Sequence, residues 1–137
     1  MEALNKLIAA VLVCGIGAAV ATTILQGGTR QVEVNDSWFQ QAVLQNSRPV
    51  VVKFGAEWCG PCRMMDASLD QLQSRYSQRA AFVRINVDEK PELFQACGSG
   101  SGIPQIMIFR NGEVIARQRG FAGDEGLNSW LAANLSN

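Results

Sequence analysis

The five residues Trp58-Cys59-Gly60-Pro61-Cys62 constrain this chain more than any other stretch. Two cysteines with two residues between them are close enough to close a disulfide, or for one sulfur to attack a partner while the other waits to release it. The hydrophobic run Pro49-Val50-Val51-Val52-Lys53-Phe54 leads in, and Met65, Leu69, Leu72 and Tyr76 follow at spacings of four, three and four. That pattern predicts a buried strand, a short turn and an amphipathic helix. Cys59 then falls at the helix N-terminus, where unpaired N–H groups and the helix dipole favour a thiolate. Pro61 suits the first turn, which has no use for its missing N–H.

Composition narrows the chemistry. Lysines plus arginines and aspartates plus glutamates both number 12, so the net charge is zero, and no block of like charge suggests a nucleic-acid surface. Histidine is absent, which removes His bases, Cys–His pairs and every His-containing metal site. Of Cys14, Cys59, Cys62 and Cys97, the first lies in an apolar segment, and no second close pair exists to complete a zinc site. Neither a metal nor another cofactor is expected.

Residues 7–25 carry no charge. As a helix they would span about 28 Å, close to the hydrocarbon thickness of a bilayer. Two readings compete: a retained signal anchor, or a cleaved signal peptide with Ala19-Val20-Ala21 offering small residues to a peptidase. The apolar character continues through Ile24 and Leu25, which favours the anchor. Residues 1–28 are thus expected to be a membrane or export segment with a short linker. On either reading the remainder lies outside the cytoplasm, on the periplasmic side of an inner membrane or soluble in the periplasm.

Residues 31–137 read as one α/β domain. A short strand is expected at 32–34, then a helix opened by a Ser37/Gln40 capping box, with Trp38, Phe39, Ala42 and Val43 on its apolar face. Further strands are expected at 81–87, 105–110 and 113–118. The last two flank Asn111-Gly112, a strong hairpin signal. A short helix should follow Pro91, and a final one should carry Leu127, Trp130, Leu131 and Leu135 on one face. The order β-α-β-α-β-α-β-β-α implies a central mixed sheet flanked by helices, parallel where helices cross over and antiparallel at the hairpin. Trp38 and Trp130 are expected in the core, and one of Met64 and Met65 beside the site. Cys97 is read as a small buried residue.

Residues 31–137 resemble a thioredoxin along their whole length. Beyond the five-residue motif, the likeness rests on Ala56-Glu57, Asn86-Val87-Asp88, Gly102-Ile103-Pro104, Phe109-Arg110-Asn111-Gly112-Glu113 and Gly120. The resemblance implies a thioredoxin fold with Pro104 in the cis form beside a redox-active Cys59–Cys62 disulfide. It implies Cys59 as nucleophile and Cys62 as resolving thiol. Trp58, Gly60, Pro61, Ile103, Pro104 and Gly120 would form the substrate-docking surface, where an extended peptide pairs with backbone ahead of the proline. The activity implied is thiol–disulfide oxidoreduction on protein substrates by a monomer, recycled by a membrane or soluble thiol reductase. An oxidase or isomerase, a binding module with little turnover and a metal-delivery domain are the competing readings.

The departures from the family pattern matter too. Lys53 stands where thioredoxins usually bury an aspartate, and Arg84 stands where its lysine neighbour is usual. Two cations cannot share a dry site cheaply, so one must reach solvent, pair with Glu57 or lose its proton. A charged Lys53 would stabilise thiolate and make the couple more oxidising. Ala67 replaces a helix-kinking proline, Gln105 replaces a threonine at the expected rim of the docking surface, and the loop Gly98 to Gly102 is about one residue longer than usual.

Overall fold

A computed structural model describes residues 34–136. The uncharged run at 7–25, Cys14 and most of the strand expected at 32–34 lie outside the described residues. Among the described residues, no helix is long and apolar enough to cross a membrane.

Four strands form one sheet: β1 (Val50–Gly55), β2 (Ala81–Asn86), β3 (Gln105–Arg110) and β4 (Glu113–Arg119). Their spatial order is β2-β1-β3-β4. Every residue of β1 is buried, Lys53 included, as in a strand covered on both faces. Strand β2 pairs parallel with β1, joined through the long helix α2 (Gly60–Tyr76). Strand β3 pairs antiparallel with β1, and β4 antiparallel with β3. Among the described residues the sheet therefore holds one parallel pair, where the alternation of strands and helices implied a parallel return through α3 (Pro91–Cys97) as well. The reason is length. Seven residues of helix rise about 10 Å, whereas a six-residue strand runs about 20 Å. The chain leaves α3 still near the end of the sheet where β1 finishes, and β3 starts back from there, with Gln105 opposite Phe54.

The two faces of the sheet bury separate cores. On one, Val51, Ile106 and Ile108 meet Met65, Leu69 and Leu72 of α2 and Leu127, Leu131 and Leu135 of α4 (Gly123–Leu135). Polar contacts tie these helices together: the Tyr76 hydroxyl lies 2.9 Å from Asn128 Oδ1, and buried Ser68 bonds Asp124. On the other face, Val50, Val52, Phe54, Met107 and Phe109 meet Phe39, Val43, Leu93 and Cys97. This alternation along β1 sends Lys53, like Val51, toward the face that α2 covers.

Helix α1 (Ser37–Phe39) runs directly into a π-helical turn (Gln40–Leu44). Its cap is Asp36, whose carboxylate accepts the Phe39 N–H at 2.8 Å, and not Ser37. Gln40 Nε2 instead donates to the Val34 carbonyl at 2.7 Å. Asp36 also meets Lys90 Nζ at 2.6 Å, and that bond holds its carboxyl below its ordinary value. Trp38 is 47% exposed, outside the core, with the Lys90 ammonium 5.5 Å from its ring centroid. Trp130 is partly buried against the α2–α4 core. Asn111 and Gly112 both take positive φ, 53° and 80°, the left-handed geometry that matches a two-residue turn to strand twist. Helix α2 runs unbroken through Ala67.

Phe39 is fully buried and sits edge-on to Phe109 at 5.7 Å, so it carries the docking of α1 onto the sheet. Phe39→Ala should lower unfolding free energy by about 3–5 kcal/mol in urea denaturation. A loss under about 1 kcal/mol would mean that α1 is not part of the cooperative unit.

Candidate active site

The site forms where β1 ends. The Gly55 carbonyl is held by Val87 N–H at 2.9 Å, fixing the strand end against the residues that follow β2. Ala56, Glu57 and Trp58 turn the chain, Cys59 N–H donates to the Ala56 carbonyl at 3.2 Å, and α2 begins at Gly60. Cys59 is the N-cap, with Pro61 in the first turn. The Cys62 N–H points at Cys59 Sγ, 3.3 Å away. Cys59 and Cys62 are joined as a disulfide with Cα atoms 5.2 Å apart. Cys59 is 6% exposed and Cys62 not at all. Cys59 is thus the less enclosed residue of the pair.

The Ile103–Pro104 peptide is cis, and its turn lies against the disulfide, with the Ile103 carbonyl oxygen 4.0 Å from Cys59 Sγ. Ile103, Ala56 and Val87 make the apolar seat of the two cysteines. Gly120 N–H donates to the Pro104 carbonyl at 2.9 Å, so the start of β3 and the end of β4 are tied beside the site. Trp58 is 69% exposed, yet its indole N–H donates to Asp88 Oδ2 at 2.8 Å, which fixes a large apolar plate at the rim. Pro61 and Gly120 are exposed and Pro104 is buried beneath them. Met65 packs inward and Met64 is exposed.

Gln105 is not a rim residue. It is buried, and its side-chain amide accepts from Ser99 N–H at 3.0 Å and donates to the Gly102 carbonyl at 2.9 Å. It pins the glycine-rich loop from inside while Arg119 Nη2 holds the Ser101 carbonyl from outside at 2.8 Å. Nothing in the sequence pattern separates this role from a surface one. The signal would have been the cost of burying an amide at the start of a core strand unless a loop nearby satisfies it.

Lys53 is buried, and its ammonium meets Asp66 Oδ2 at 2.7 Å, not Glu57. Arg84, opposite Lys53 in the sheet register, reaches Asp66 Oδ1 at 3.2 Å through Nε and Asp70 Oδ1 at 2.6 Å through Nη2. The two cations are thus matched by two carboxylates from α2. Asp66 was legible in principle, because it follows Cys62 by four residues on the same helix face. Cys97 is buried at the end of α3, and burial pushes its thiol up to about 12. Among the described residues, no group of three or more acidic, cysteine or histidine side chains converges to hold a metal.

A strand-to-helix CxxC disulfide facing a cis-proline turn is a redox arrangement. Two electrons open it to a dithiol, and the helix start favours the anionic form of the more exposed sulfur. The family model for thioredoxin matches residues 30–133. The chain belongs to the thioredoxin family. It is 37% identical over 102 residues to a thioredoxin of Rickettsia felis, covering 74% of this chain and 96% of that one. It is 44% identical over 82 residues to thioredoxin 1 of Synechococcus elongatus, covering 60% and 76%. With thioredoxin 1 of a Nostoc species the identity is 41% over 103 residues, covering 75% and 95%. As a thioredoxin with its cysteine pair intact, the protein is a thiol–disulfide oxidoreductase. The family acts on protein disulfides.

Cys97 should behave as a core atom in this enzyme. In the native reduced protein, iodoacetamide at pH 8 should leave the Cys97 peptide unlabelled, and labelling should appear only on denaturation. Labelling of native Cys97 at the rate of a free thiol would contradict its burial.

Proposed function

We propose that this thioredoxin is an exported, membrane-tethered enzyme in which Cys59 attacks substrate disulfides and Cys62 resolves the adduct. The observation that carries the chemistry is the asymmetry of the pair: Cys59 at the helix cap, slightly open and bonded by the Cys62 N–H, with Cys62 wholly enclosed behind it. The Cys59 thiolate attacks one sulfur of the substrate disulfide, forming a mixed disulfide and releasing the other substrate sulfur as a thiolate. The Cys62 thiolate then attacks Cys59 Sγ, the Cys59–Cys62 bond forms, and the remaining substrate sulfur leaves and takes a proton. The substrate disulfide gains two electrons and the enzyme dithiol loses them.

Trp58, Gly60, Pro61, Ile103, Pro104 and Gly120 form the docking surface in this reading. The Ile103 backbone, beside Cys59 Sγ, is placed to pair with an extended substrate segment. The tether is the uncharged run at 7–25, long enough for a bilayer span. A domain held outside the cytoplasm as a reductant needs electrons delivered across the membrane, which calls for a membrane thiol reductase as its recycling partner. A second reading, an exported oxidase or isomerase, is favoured by one observation: a buried ammonium near Cys62 where thioredoxins usually carry a carboxylate.

Cys62→Ser should accumulate a mixed disulfide between Cys59 and substrate proteins, and Cys59→Ser should accumulate none. Equal trapping by both variants would overturn the assigned roles. For the tether, the full chain should stay in the membrane pellet after alkaline carbonate washing, and protease added to spheroplasts should digest it. A soluble, protease-protected protein would overturn export.

A further inference from the structure

Cys62 is completely buried, yet the second half of the reaction requires it as a thiolate, so something in the interior must favour its charge. The groups around it are few. Beside the strand end lies a cleft of about 530 Å³, and its charged lining is Lys53 from β1, Glu57 from the turn, Arg63 and Asp66 from α2, Arg84 from β2 and Glu89 beyond it. Arg63 is drawn away by the Glu57 carbonyl at 2.8 Å, and Arg84 faces Asp66 and Asp70. The side chains packed against the two cysteines, Ala56, Val87 and Ile103, are apolar. Lys53 is different. A β-carbon built on Gly55 would lie 2.6 Å from Lys53 Cε and 3.2 Å from Cys62 Cβ, with the ammonium nitrogen closer still. The end of the lysine therefore occupies the space that a side chain at position 55 would fill, and that space borders Cys62. Asp66 Oδ2 meets the ammonium at 2.7 Å.

We infer that Gly55 is a positioning residue: by lacking a side chain it seats the Lys53 ammonium against Cys62, where the charge favours the resolving thiolate. This rests on the proposed roles of Cys59 and Cys62 and deepens them. A cation beside a thiol in a low-dielectric site stabilises the anion, so Cys62 is ready to attack without a carboxylate base, its proton passing to solvent. In the step itself the Cys62 anion forms the bond to Cys59 Sγ, the bond from Cys59 to the bound sulfur breaks, and the departing thiolate carries the electron pair away. Lysine exchanges no proton in that sequence. The same interaction favours the reduced enzyme over the disulfide, so it makes the couple more oxidising.

Stopped-flow reaction of the reduced protein with 5,5′-dithiobis(2-nitrobenzoate) separates the two steps. Attack by Cys59 releases one chromophoric thiolate, and attack by Cys62 on the mixed disulfide releases the second. The rate of the second release should follow a pH midpoint below the value of about 8.5 for an ordinary thiol. Lys53→Met should move that midpoint up by about one unit, slowing the second release about tenfold at pH 6. Gly55→Ala retains every charge but displaces the ammonium, and should move the midpoint in the same direction by a smaller amount. Both variants should have more reducing midpoint potentials than wild type. If Lys53→Met does not fold, Lys53→Gln and Gly55→Ala carry the test. An unmoved midpoint in either the position-53 or the position-55 variant overturns the inference, whereas a missing second phase in wild type overturns the assigned cysteine roles instead.

Discussion

The N–H of Cys62 directed at Cys59 Sγ, 3.3 Å away in the first turn of α2, is the contact on which the site depends. It exists because a helix start has backbone donors without intrahelical partners and Cys59 occupies the capping position. The rest of the molecule fixes where that helix starts. Strand β1 is buried on both faces and cannot slide without exposing Val50, Val52 and Phe54 or burying the wrong side chains. Helix α2 is held along its length by Met65, Leu69, Leu72 and Tyr76. With both elements immobile, the four-residue turn between them has little freedom, and the sulfur is placed by packing some distance away.

Electrostatics beneath the site follow a different logic from the usual one of the family. A buried lysine and a neighbouring arginine occupy adjacent strands, and the balancing carboxylates come from α2. A pair with a buried ammonium and a partly exposed carboxylate adds little net stability, since desolvating the ammonium offsets much of the attraction. Its effect is directional. The end of Lys53 lies near the second cysteine, and Asp66 also meets Arg84.

Much of this was legible in the sequence because it rests on local pattern. The strand-turn-helix around the cysteines, the Asn-Gly hairpin and the leucine stripe of α4 all follow from periodicity and turn chemistry. What was not legible depends on contacts between distant segments. The direction of β3 turns on how far a seven-residue helix carries the chain, which spacing alone does not show. Asp36 and Ser37 are both competent caps, and the Lys90 ion pair 54 residues away coincides with the choice of Asp36. Lys53 found Asp66 instead of Glu57, because the face of β1 that carries Lys53 lies under α2 and not under the turn. Trp38 lies outside the core because Phe39 and Val43 take the buried positions of the short helix.

Held at the start of α2, the Cys59 sulfur of the reduced protein should be anionic near neutral pH. The most direct measurement is thiolate absorbance near 240 nm in the reduced protein as a function of pH, with Cys62→Ser recorded beside wild type to isolate Cys59. The account predicts a Cys59 transition at least about one unit below the value of 8.5 for an ordinary thiol. A transition at that ordinary value or above it would contradict the account.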